Sequence, residues 1–449
     1  MRIFVQTGSA HDAIQPSLLP TVELSPTLVS VIHRQPTLRT RTIAPLNSLD
    51  QDWNDEPSVA WLRDGEGILG WGVAARAHFR GAERFSRAQR WAQEQLTDTR
   101  IEDGVGLARI APIAFSSFTF DDESEGSVVV IPRTVVGLRG GVSWRTDLEM
   151  PNEPADSNDP GSSGIADLLG GEHEWLPATA WHDDEADAAQ WCSAVDESVK
   201  RIAAGELDKV VLARRITASF GGPLPLIPVL LRLAERFPEC WTFYVEGLIG
   251  ATPELLVQRH RDRVLSRVLA GSVAAGKTSS ENDRAASELK ASAKDLAEHK
   301  YAVRSVAHAL AIHCTDLHVP ASPTVLTLPN VQHLATDIRG DLADRASALA
   351  LAASLHPTAA VCGTPTERAR SVIEELEERD RGRYSGPVGW FDTNGDGEFA
   401  IALRCAQLND DRTEADLFAG CGLVADSSAA SELAESEVKF NAMRQVLSG

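Results

Sequence analysis

Several features that would assign a chain to a broad class are missing from this sequence. It contains no uninterrupted apolar run of about 18 residues, the length needed to cross a bilayer. The N-terminal residues MRIFVQTGSAHDAIQ include no basic segment followed by an apolar one, so no secretory signal is predicted. The six cysteines are scattered without a CxxC pair, which indicates buried thiols in a reducing compartment. We therefore expect a cytoplasmic protein.

Positive charge is also scarce. The chain has 43 Lys and Arg residues against 64 Asp and Glu residues, which gives a formal net charge of −21. Nucleic acids and anionic membranes are bound by basic surfaces, so neither partner is expected. A small anionic substrate is compatible with this charge only if Arg, Lys or a bound cation supplies a local positive potential.

The composition divides the chain into three regions. Residues 1–150 mix short apolar runs with turn residues. Residues 151–183 begin with PNEPADSNDPGSSG and are rich in Pro, Gly, Ser and acidic residues, which indicates an exposed loop or linker. Residues 184–449 are more regular, and we interpret them as the diagnostic part of one fold whose other half is 1–150.

Hydrophobic periodicity predicts strands in hairpins and runs, with helices between them. Helices are predicted over 184–204, 227–237, 281–313 and 429–447, strands over 67–79, 110–120, 127–138, 208–218, 241–248, 254–259 and 263–270, and a hairpin around 387–407. Because strict βαβ alternation is missing, the sequence predicts an α+β fold of large antiparallel sheets with helices outside.

One motif favours a different class of protein. Residues 271–278, GSVAAGKT, match the phosphate-binding pattern GxxxxGK[ST] between a predicted strand and a predicted helix. A P-loop nucleotide hydrolase is therefore an alternative. Against it, no later apolar run ends in an aspartate placed to hold magnesium beside a nucleotide. The predicted strand order is also not that of a parallel nucleotide-binding sheet.

Two further patterns have simpler explanations. Residues 392–397, DTNGDG, resemble the start of a calcium loop, but the twelfth position is Leu403 and the flanking runs are strands, so a hairpin turn is predicted. His308, His313 and His318 recur every five residues, which rotates them around a helix and excludes a common metal-binding face.

Two charged residues open predicted strands. Lys209 precedes the run VVLA, where alternation places it on the same face as Val211 and Ala213. Glu254 follows Thr-Pro and precedes the run LLV. Each residue alone is typical of a solvated strand end, so neither identifies a site by itself.

Acidic residues pair on two predicted helices. Asp295 and Glu298 share one face of the long helix, and Glu432, Glu435 and Lys439 share one face of the final helix. If the two faces converge, their carboxylates form an oxygen-rich site for a hard cation such as Mg²⁺. If they do not converge, both are solvated surfaces, and periodicity alone leaves both interpretations open.

The ordered motifs from about residue 188 to 447 resemble those of the chorismate-utilising enzymes, which include isochorismate, salicylate, anthranilate and aminodeoxychorismate synthases, and they resemble the isochorismate synthase branch in particular. The matching segments are GELDKVVLARR (205–215), GATPELL (250–256), LAGS (269–272), KDLAEHKYAV (294–303), VQHLAT (331–336), LHPTAAVCGTP (355–365), RYSGPVGWFDTNGDGEFAIALRCAQL (383–408) and LFAGCGLVADSSAASELAESEVK (417–439). The resemblance implies the fold of anthranilate synthase component I, with two large antiparallel sheets packed together and helices outside.

The resemblance also implies a magnesium site. Its ligands would be Glu298 and Glu435, with Glu432 and Asp295 close by through water. The ion would bridge to the ring carboxylate of chorismate.

The substrate contacts implied by the resemblance supply local positive charge. Arg404 would bind the pyruvyl carboxylate, since a guanidinium group matches a carboxylate geometrically, and Tyr384 would add a hydroxyl. Lys439 and the backbone N–H groups of Gly420 and Gly422 would face the remaining negative charge.

Four more positions are assigned to the substrate site in the same way. Gly271 and Ser272 would lie near the ring, and His333 and Ala360 would also contact the substrate. The P-loop-like string would then belong to the family's substrate-contacting loop.

The presence of a lysine at position 209 favours water as the nucleophile, since the resemblance implies that ammonia-using members lack it. Water needs a base, and a lysine serves only if its pKa falls from about 10.4 towards neutrality. Glu254 would be the acid that protonates the leaving C4 hydroxyl, which requires a raised pKa. The expected reaction is a magnesium-dependent isomerisation of chorismate to isochorismate.

Salicylate synthases, which also eliminate pyruvate, are the nearest alternative. They tend to carry Thr-Ala where this chain has Ala360 and Val361, and this apolar pair together with Phe418 favours isochorismate synthase. Tyr384 and Leu403 slightly favour salicylate synthase. A non-catalytic binding module on the same fold is a further alternative.

The partners expected from this interpretation are few. The substrate is chorismate, no glutaminase subunit is expected, and we expect a monomer. The product would enter menaquinone, siderophore or salicylate synthesis.

Overall fold

The computed structural model describes residues 36–43, 56–105, 111–150, 176–377 and 379–448. Strands in these ranges are β1 (Thr37–Thr42), β2 (Val59–Arg63), β3 (Glu66–Phe79), β4 (Arg100–Asp103), β5 (Ile113–Ser117), β6 (Ser127–Arg139), β7 (Val142–Glu149), β8 (Ala178–His182), β9 (Lys209–Phe220), β10 (Trp241–Val245), β11 (Leu248–Thr252), β12 (Leu255–His260), β13 (Arg263–Ala274), β14 (Cys314–His318), β15 (Thr324–Thr327), β16 (Val331–Leu342), β17 (Gly363–Thr364), β18 (Pro387–Asp392), β19 (Gly397–Ile401), β20 (Cys405–Leu408) and β21 (Glu414–Leu423). Helices there are α1 (Arg84–Leu96), α2 (Glu185–Ala203), α3 (Leu226–Arg236), α4 (Ser279–Ala291), α5 (Ala293–Leu310), α6 (Ala348–Leu355), α7 (Thr366–Leu376) and α8 (Ala429–Leu447).

Strand pairing produces two arms of sheet. The first arm has the hydrogen-bonding order β2–β10–β11–β20–β21–β9. The second has the order β5–β18–β19–β12–β13–β16. The arms are joined because β3 pairs with both β2 and β6, and β6 pairs with β5. All of these pairings are antiparallel.

The arms share an inner core, and helices cover their outer surfaces. Trp61 and Phe243 of the first arm belong to the same buried cluster as Phe115 and Val388 of the second. Helices α3 and α8 pack on the first arm, while α5 and α6 pack on the second. This arrangement confirms the predicted α+β fold and leaves the ends of β9, β12, β13 and β21 to face one another.

Most predicted elements are present, and the final helix has the predicted bounds. The predicted strand 241–248 is wrong in one respect, because the chain reverses within it and forms the hairpin β10–β11. Glu246 and Gly247 turn the chain with φ values of 48° and 80°, the left-handed conformations of a tight hairpin turn.

The predicted long helix 281–313 is two helices, α4 and α5. Ser292 breaks it with an extended backbone, ψ 113°, and its side chain accepts a hydrogen bond from the backbone N–H of Asp295. A serine in this position caps the start of α5, so it competes with continuation of α4.

The predicted loop 151–183 falls mostly outside the described residues. Its last part is β8, Ala178–His182, which pairs with one end of β9. None of the helices in the described ranges has the length and apolar character that crossing a bilayer requires.

The P-loop-like segment does not form a phosphate cradle. Gly271–Ala274 is the end of β13, and Thr278 caps α4 in a capping box with Glu281. The backbone N–H of Lys277 donates to the Glu281 carboxylate at 2.6 Å, and that of Gly276 donates to Asn282 Oδ1 at 2.8 Å. Because side chains of α4 already accept from these amides, the P-loop alternative is wrong.

Candidate active site

A cavity with about 790 Å³ of empty space lies between the two arms. Its walls come from β9, β21 and α8 on one side and from β13, α5 and β16 on the other. The lining includes Val211, Glu254, Gly271, Ser272, Glu298, His333, Ala360, Val361, Tyr384, Leu403, Arg404, Phe418, Gly420, Gly422, Glu435 and Lys439. Every residue that was predicted to bind substrate or metal therefore lines this one cavity. The roles of these residues remain predictions.

Lys209 is not among the lining residues, but it lies directly behind the wall and contacts the lining residue Glu298. Its side chain is fully buried, and Nζ donates to Glu298 Oε1 at 3.0 Å. The alternation of β9 places Lys209 on the same face as Val211, as predicted. The structure thus joins a residue that starts a strand to a helix residue 89 positions later.

Gly420 and Gly422 of β21 lie opposite Ala213 and Val211 of β9. The N–H groups of Val211 and Ala213 point away from β21, to Cys362 O and to Glu377 Oε1. In an antiparallel ladder this makes both pairs non-hydrogen-bonded, so the N–H groups of the two glycines also point away from β9. They are directed to the side where Lys439 Nζ donates to Gly420 O at 2.7 Å.

A side chain at position 422 would disturb the ion pair. A Cβ there would lie 2.5 Å from Glu298 Oε1 and 3.0 Å from Lys209 Cε. Real Cβ atoms do not approach so closely, so either the carboxylate or the ammonium group would have to move. The glycine is therefore required by the site, since this position is in a regular strand.

We expect Gly422→Ala to lower kcat/KM for the reaction of this cavity at least about tenfold, because it displaces Glu298 from Lys209. The free energy of unfolding should also fall, because the fully buried Lys209 loses its charge partner, so activities are compared at a temperature where the variants are folded. Gly221→Ala is the control, because a Cβ there meets only Thr179 Cγ2 at 3.7 Å. Equal activity of the two variants would contradict this account of Gly422.

Glu254 is buried at the end of the turn between β11 and β12, with 5% of its surface exposed. Burial raises the pKa of its carboxyl group to about 8, although Lys209, Arg404 and Lys439 lower it by their charge. The group therefore carries a proton at neutral pH and can donate it, as an acid requires.

Three carboxylates of the cavity each lie beside a lysine. Glu298 accepts from Lys209, and Lys439 Nζ lies 2.8 Å from Glu435 Oε1. The third, Glu432, is 1% exposed and accepts from a lysine of α5 at 3.3 Å. The predicted convergence of the two acidic helix faces is thus present in the fold.

The pKa values within this cluster follow from burial and from these neighbours. Burial alone would raise the pKa of Glu435, but Lys439 and a hydrogen bond from Ser272 Oγ lower it overall. Burial and the nearby Glu435 charge raise the pKa of Glu432. For Lys439, burial opposes the charged form, and Glu435 outweighs it and raises the pKa.

The donor atoms of the cluster suit a hard cation. Ligand atoms of Cys421, Glu432 and Glu435 lie within 4.8 Å of one another. Burial strongly raises the pKa of the Cys421 thiol, which donates to Glu432 O, and soft sulfur is a poor ligand for Mg²⁺. The remaining donors are carboxylate oxygens, the ligands that Mg²⁺ prefers.

Arg404 lines the cavity and has one buried donor without a partner among the described residues. Its Nη2 donates to His333 Nε2, whereas the buried Nη1 has no hydrogen-bond partner among the described residues. Burial and the Arg404 charge lower the pKa of His333 well below its usual value, so the ring is neutral and can accept. A buried guanidinium N–H without a partner is costly unless a ligand satisfies it.

Two aromatic rings form another part of the wall. Tyr384 stacks on Phe418 with ring centroids 5.2 Å apart and an angle of 15°. Burial raises the pKa of Tyr384 to about 12, so its hydroxyl remains a donor. A Cβ at Gly420 would lie 3.1 Å from this hydroxyl, which explains the small residue there.

Two residues near the cluster have no role in the sequence-based prediction. Lys294 is the lysine that donates to Glu432, linking α5 to α8. His299 holds α5 against the second arm through Ala270 O and the Thr336 hydroxyl. Lys294 stands four positions before Glu298, so helical spacing could have included it in the charged face. The contacts of His299 with β13 and β16 have no local signal.

Comparison with known proteins agrees with this geometry. A family model described as chorismate binding enzyme matches residues 25–448. Isochorismate synthase MenF of Bacillus subtilis is 37% identical over 408 residues, which cover 85% of each chain. Isochorismate synthase DhbC of the same organism is 40% identical over 267 residues, or 57% of this chain and 67% of DhbC. Among solved structures, the menaquinone-specific isochorismate synthase MenF from Escherichia coli has the same fold, with a TM-score of 0.73 at 24% identity over 92% of this chain and 95% of that one.

Proposed function

This chain belongs to the family of chorismate-binding enzymes, and from that premise we propose that it is a magnesium-dependent isochorismate synthase. The observation that carries the proposal is one cavity lined by the protonated Glu254, by the carboxylates Glu298 and Glu435 and by Arg404, with Lys209 bound to Glu298 directly behind the wall. Two relatives named isochorismate synthase, at 37% and 40% identity, support the same activity.

Lys209 is the base of the proposed reaction. Water attacks C2 of chorismate, and a base must take its proton as the new C–O bond forms. The buried Nζ donates to Glu298 in this structure, and it can act as the base only as a neutral amine, whose lone pair then accepts the proton from water.

Glu254 is the acid. As the C2–O bond forms, the ring double bond shifts and the C4–O bond breaks, and the leaving hydroxyl takes a proton from the neutral carboxyl group. One proton is accepted at Lys209 and one is donated at Glu254, so substrate and product are isomers. The burial of Glu254 fits the protonated state that the acid needs.

The negative groups of the substrate have separate sites in this proposal. Arg404 binds the pyruvyl carboxylate, with the Tyr384 hydroxyl as a second donor. Glu298 and Glu435 hold Mg²⁺, and Asp295 and Glu432 lie close by. When bound, the ion supplies the positive charge that holds the ring carboxylate. The carboxylate oxygens of Glu432 and Glu435, which lie within 4.8 Å of each other, are hard donors that fit this ion.

The raised pKa of Glu254 predicts a pH dependence. The acid must be protonated, so kcat/KM should fall about tenfold per pH unit above about 8. The folded-state pKa exceeds the ordinary value of 4.5, so the free energy of unfolding should also fall as pH rises from there towards 8. Glu254→Gln should remove this loss of stability. A wild-type kcat/KM that stays constant to pH 9.5 or above (about 1.5 units past that pKa) would exclude this assignment.

The function is tested by incubating the purified protein with chorismate and Mg²⁺ and separating the products by chromatography. We expect isochorismate as the product and no turnover after chelation of the metal. Salicylate and pyruvate as the first products would instead identify a salicylate synthase. The apolar Ala360, Val361 and Phe418 in the cavity wall favour isochorismate. Absence of any conversion would contradict the enzyme assignment.

A further inference from the structure

We infer that Glu377 and Arg381 form a positioning pair that fixes β9, which carries Lys209, relative to the neighbouring part of the cavity wall at Ala360 and Val361. The inference rests on the proposed function, because the reaction whose rate it sets is the one proposed for this cavity. Neither residue lines the cavity, so the pair acts through others.

The pair occupies an open edge of β9. On the side away from β21, β9 pairs with β17 only at Lys209 and Val210, and with β8 only from Thr217 onward. Between these two contacts, the described residues that bond to this edge are Cys362, whose backbone O accepts from the Val211 N–H, and the side chains of the pair. The N–H of Ala213 donates to Glu377 Oε1 at 2.7 Å, and Arg381 Nη2 donates to Val211 O at 2.6 Å. One acceptor and one donor thus take the place of a missing neighbouring strand.

The same guanidinium group also binds the part of the cavity wall at Val361. Arg381 Nη1 donates to Val361 O at 2.9 Å, and Nε donates to Glu377 Oε2 at 2.7 Å. Arg381 Cζ lies over the Phe120 ring, 4.3 Å from the ring centroid. Because a guanidinium group is planar and its N–H directions are fixed, these bonds set the position of Val211 relative to Val361.

The pair cannot exchange these bonds for water. The side chains of Arg381 and Glu377 are 2% and 8% exposed. Lysine at position 381 has one ammonium group and cannot reach Val211 O, Val361 O and Glu377 together in the same directions. Its substitution therefore loosens the link between β9 and Val361 without removing the charge.

A change in the hydrogen bonds between this pair and β9 would move the proposed base, Lys209. Val211 and Val361 both line the cavity, and Lys209 is two residues before Val211 on the same face of β9. A displacement of about 1 Å in a reacting group can lower a rate about a hundredfold. Substrate affinity depends mainly on Arg404 and the carboxylate cluster, which the pair does not contact. We therefore expect an effect on kcat and little effect on KM.

Arg383 offers a matched control two residues further along the chain. It is 8% exposed, and it donates to Val245 O at 3.0 Å and to Gln407 Oε1 at 2.7 Å. These partners belong to β10 and β20 and do not line the cavity. Arg383→Lys should therefore lower the free energy of unfolding as Arg381→Lys does, without changing the position of Lys209.

The experiment compares Arg381→Lys, Glu377→Gln and Arg383→Lys in the full chain, at a temperature where each is folded. The measured quantities are kcat and KM for chorismate at saturating Mg²⁺, and the free energy of unfolding. We expect kcat to fall about 10- to 100-fold for the first two variants, with KM within about threefold of wild type. Arg383→Lys should keep kcat within about twofold.

Two results would overturn the inference. One is a wild-type kcat for folded Arg381→Lys and Glu377→Gln. The other is an equal fall in kcat for Arg383→Lys at a similar unfolding free energy, which would show a general effect of stability. Failure of the proposed function is recognised separately, because the wild-type protein would then not convert chorismate in the same assay, and the inference would fall with it.

Discussion

Lys209→Met is expected to lower kcat for isochorismate formation about a thousandfold, within the range that general base catalysis contributes. Methionine fills a similar volume in a position with no exposed surface, so the fold should be retained. Glu298 loses its partner but remains 16% exposed on the cavity side, where water can solvate it. The rate is measured by product chromatography at saturating chorismate and Mg²⁺.

Measuring the metal affinity of the Lys209→Met variant distinguishes loss of the base from damage to the carboxylate cluster. Lys209 and a cation compete for the Glu298 carboxylate. We therefore expect the dissociation constant for Mn²⁺, used as a spectroscopic substitute for Mg²⁺, to be unchanged or lower in the Lys209→Met variant. A variant that keeps more than about a tenth of the wild-type kcat would remove Lys209 from the role of base.

Glu435→Gln is the second change with a large expected effect. It replaces one of the two carboxylates proposed to hold the cation and leaves Lys439, which lies 2.8 Å away, without its charge partner. Cation affinity of an oxygen site depends strongly on the number of charged ligands, so the dissociation constant for Mn²⁺ should rise about a hundredfold. At low millimolar Mg²⁺, activity should be lost almost completely.

Glu437→Gln is the matched control on the same helix. Glu437 accepts hydrogen bonds from Arg214 and Arg444, away from the cavity. Its substitution should lower stability through those ion pairs and leave the metal dependence unchanged. If Glu435→Gln kept wild-type metal affinity and turnover, Glu435 would not hold the catalytic cation and its assignment as a ligand would be wrong.

Much of the fold could be predicted from local patterns. The final helix follows from apolar spacing and a capping serine, and the strand at Lys209 follows from alternation. The break at Ser292 was missed because apolar spacing continues across it, whereas a single side-chain cap decides the backbone there. That break makes Asp295 and Glu298 part of the first turns of α5.

The candidate site was predicted as a set of residues, largely through resemblance, but its internal pairing was not. Spacing places Asp295 with Glu298 and Glu432 with Glu435, since each pair lies on one helix. It does not indicate that Lys209 pairs with Glu298, because that contact depends on how the two arms meet. The support of β9 by Glu377 and Arg381 was missed for the same reason: the motif gives no sign that a strand edge there lacks a neighbour.

The contacts that build the cavity connect distant parts of the chain, and this affects when the site forms during folding. Ser272 and Glu435, which share a hydrogen bond, are 163 positions apart, and Arg404 and His333 are 71 apart. Such contacts form late, since loop closure must precede them. Because α8 carries both Glu435 and Lys439, we expect a nascent chain to acquire the proposed metal affinity and catalysis only after this helix has left the ribosome and docked. Proteolytic removal of α8 should accordingly abolish both properties at once.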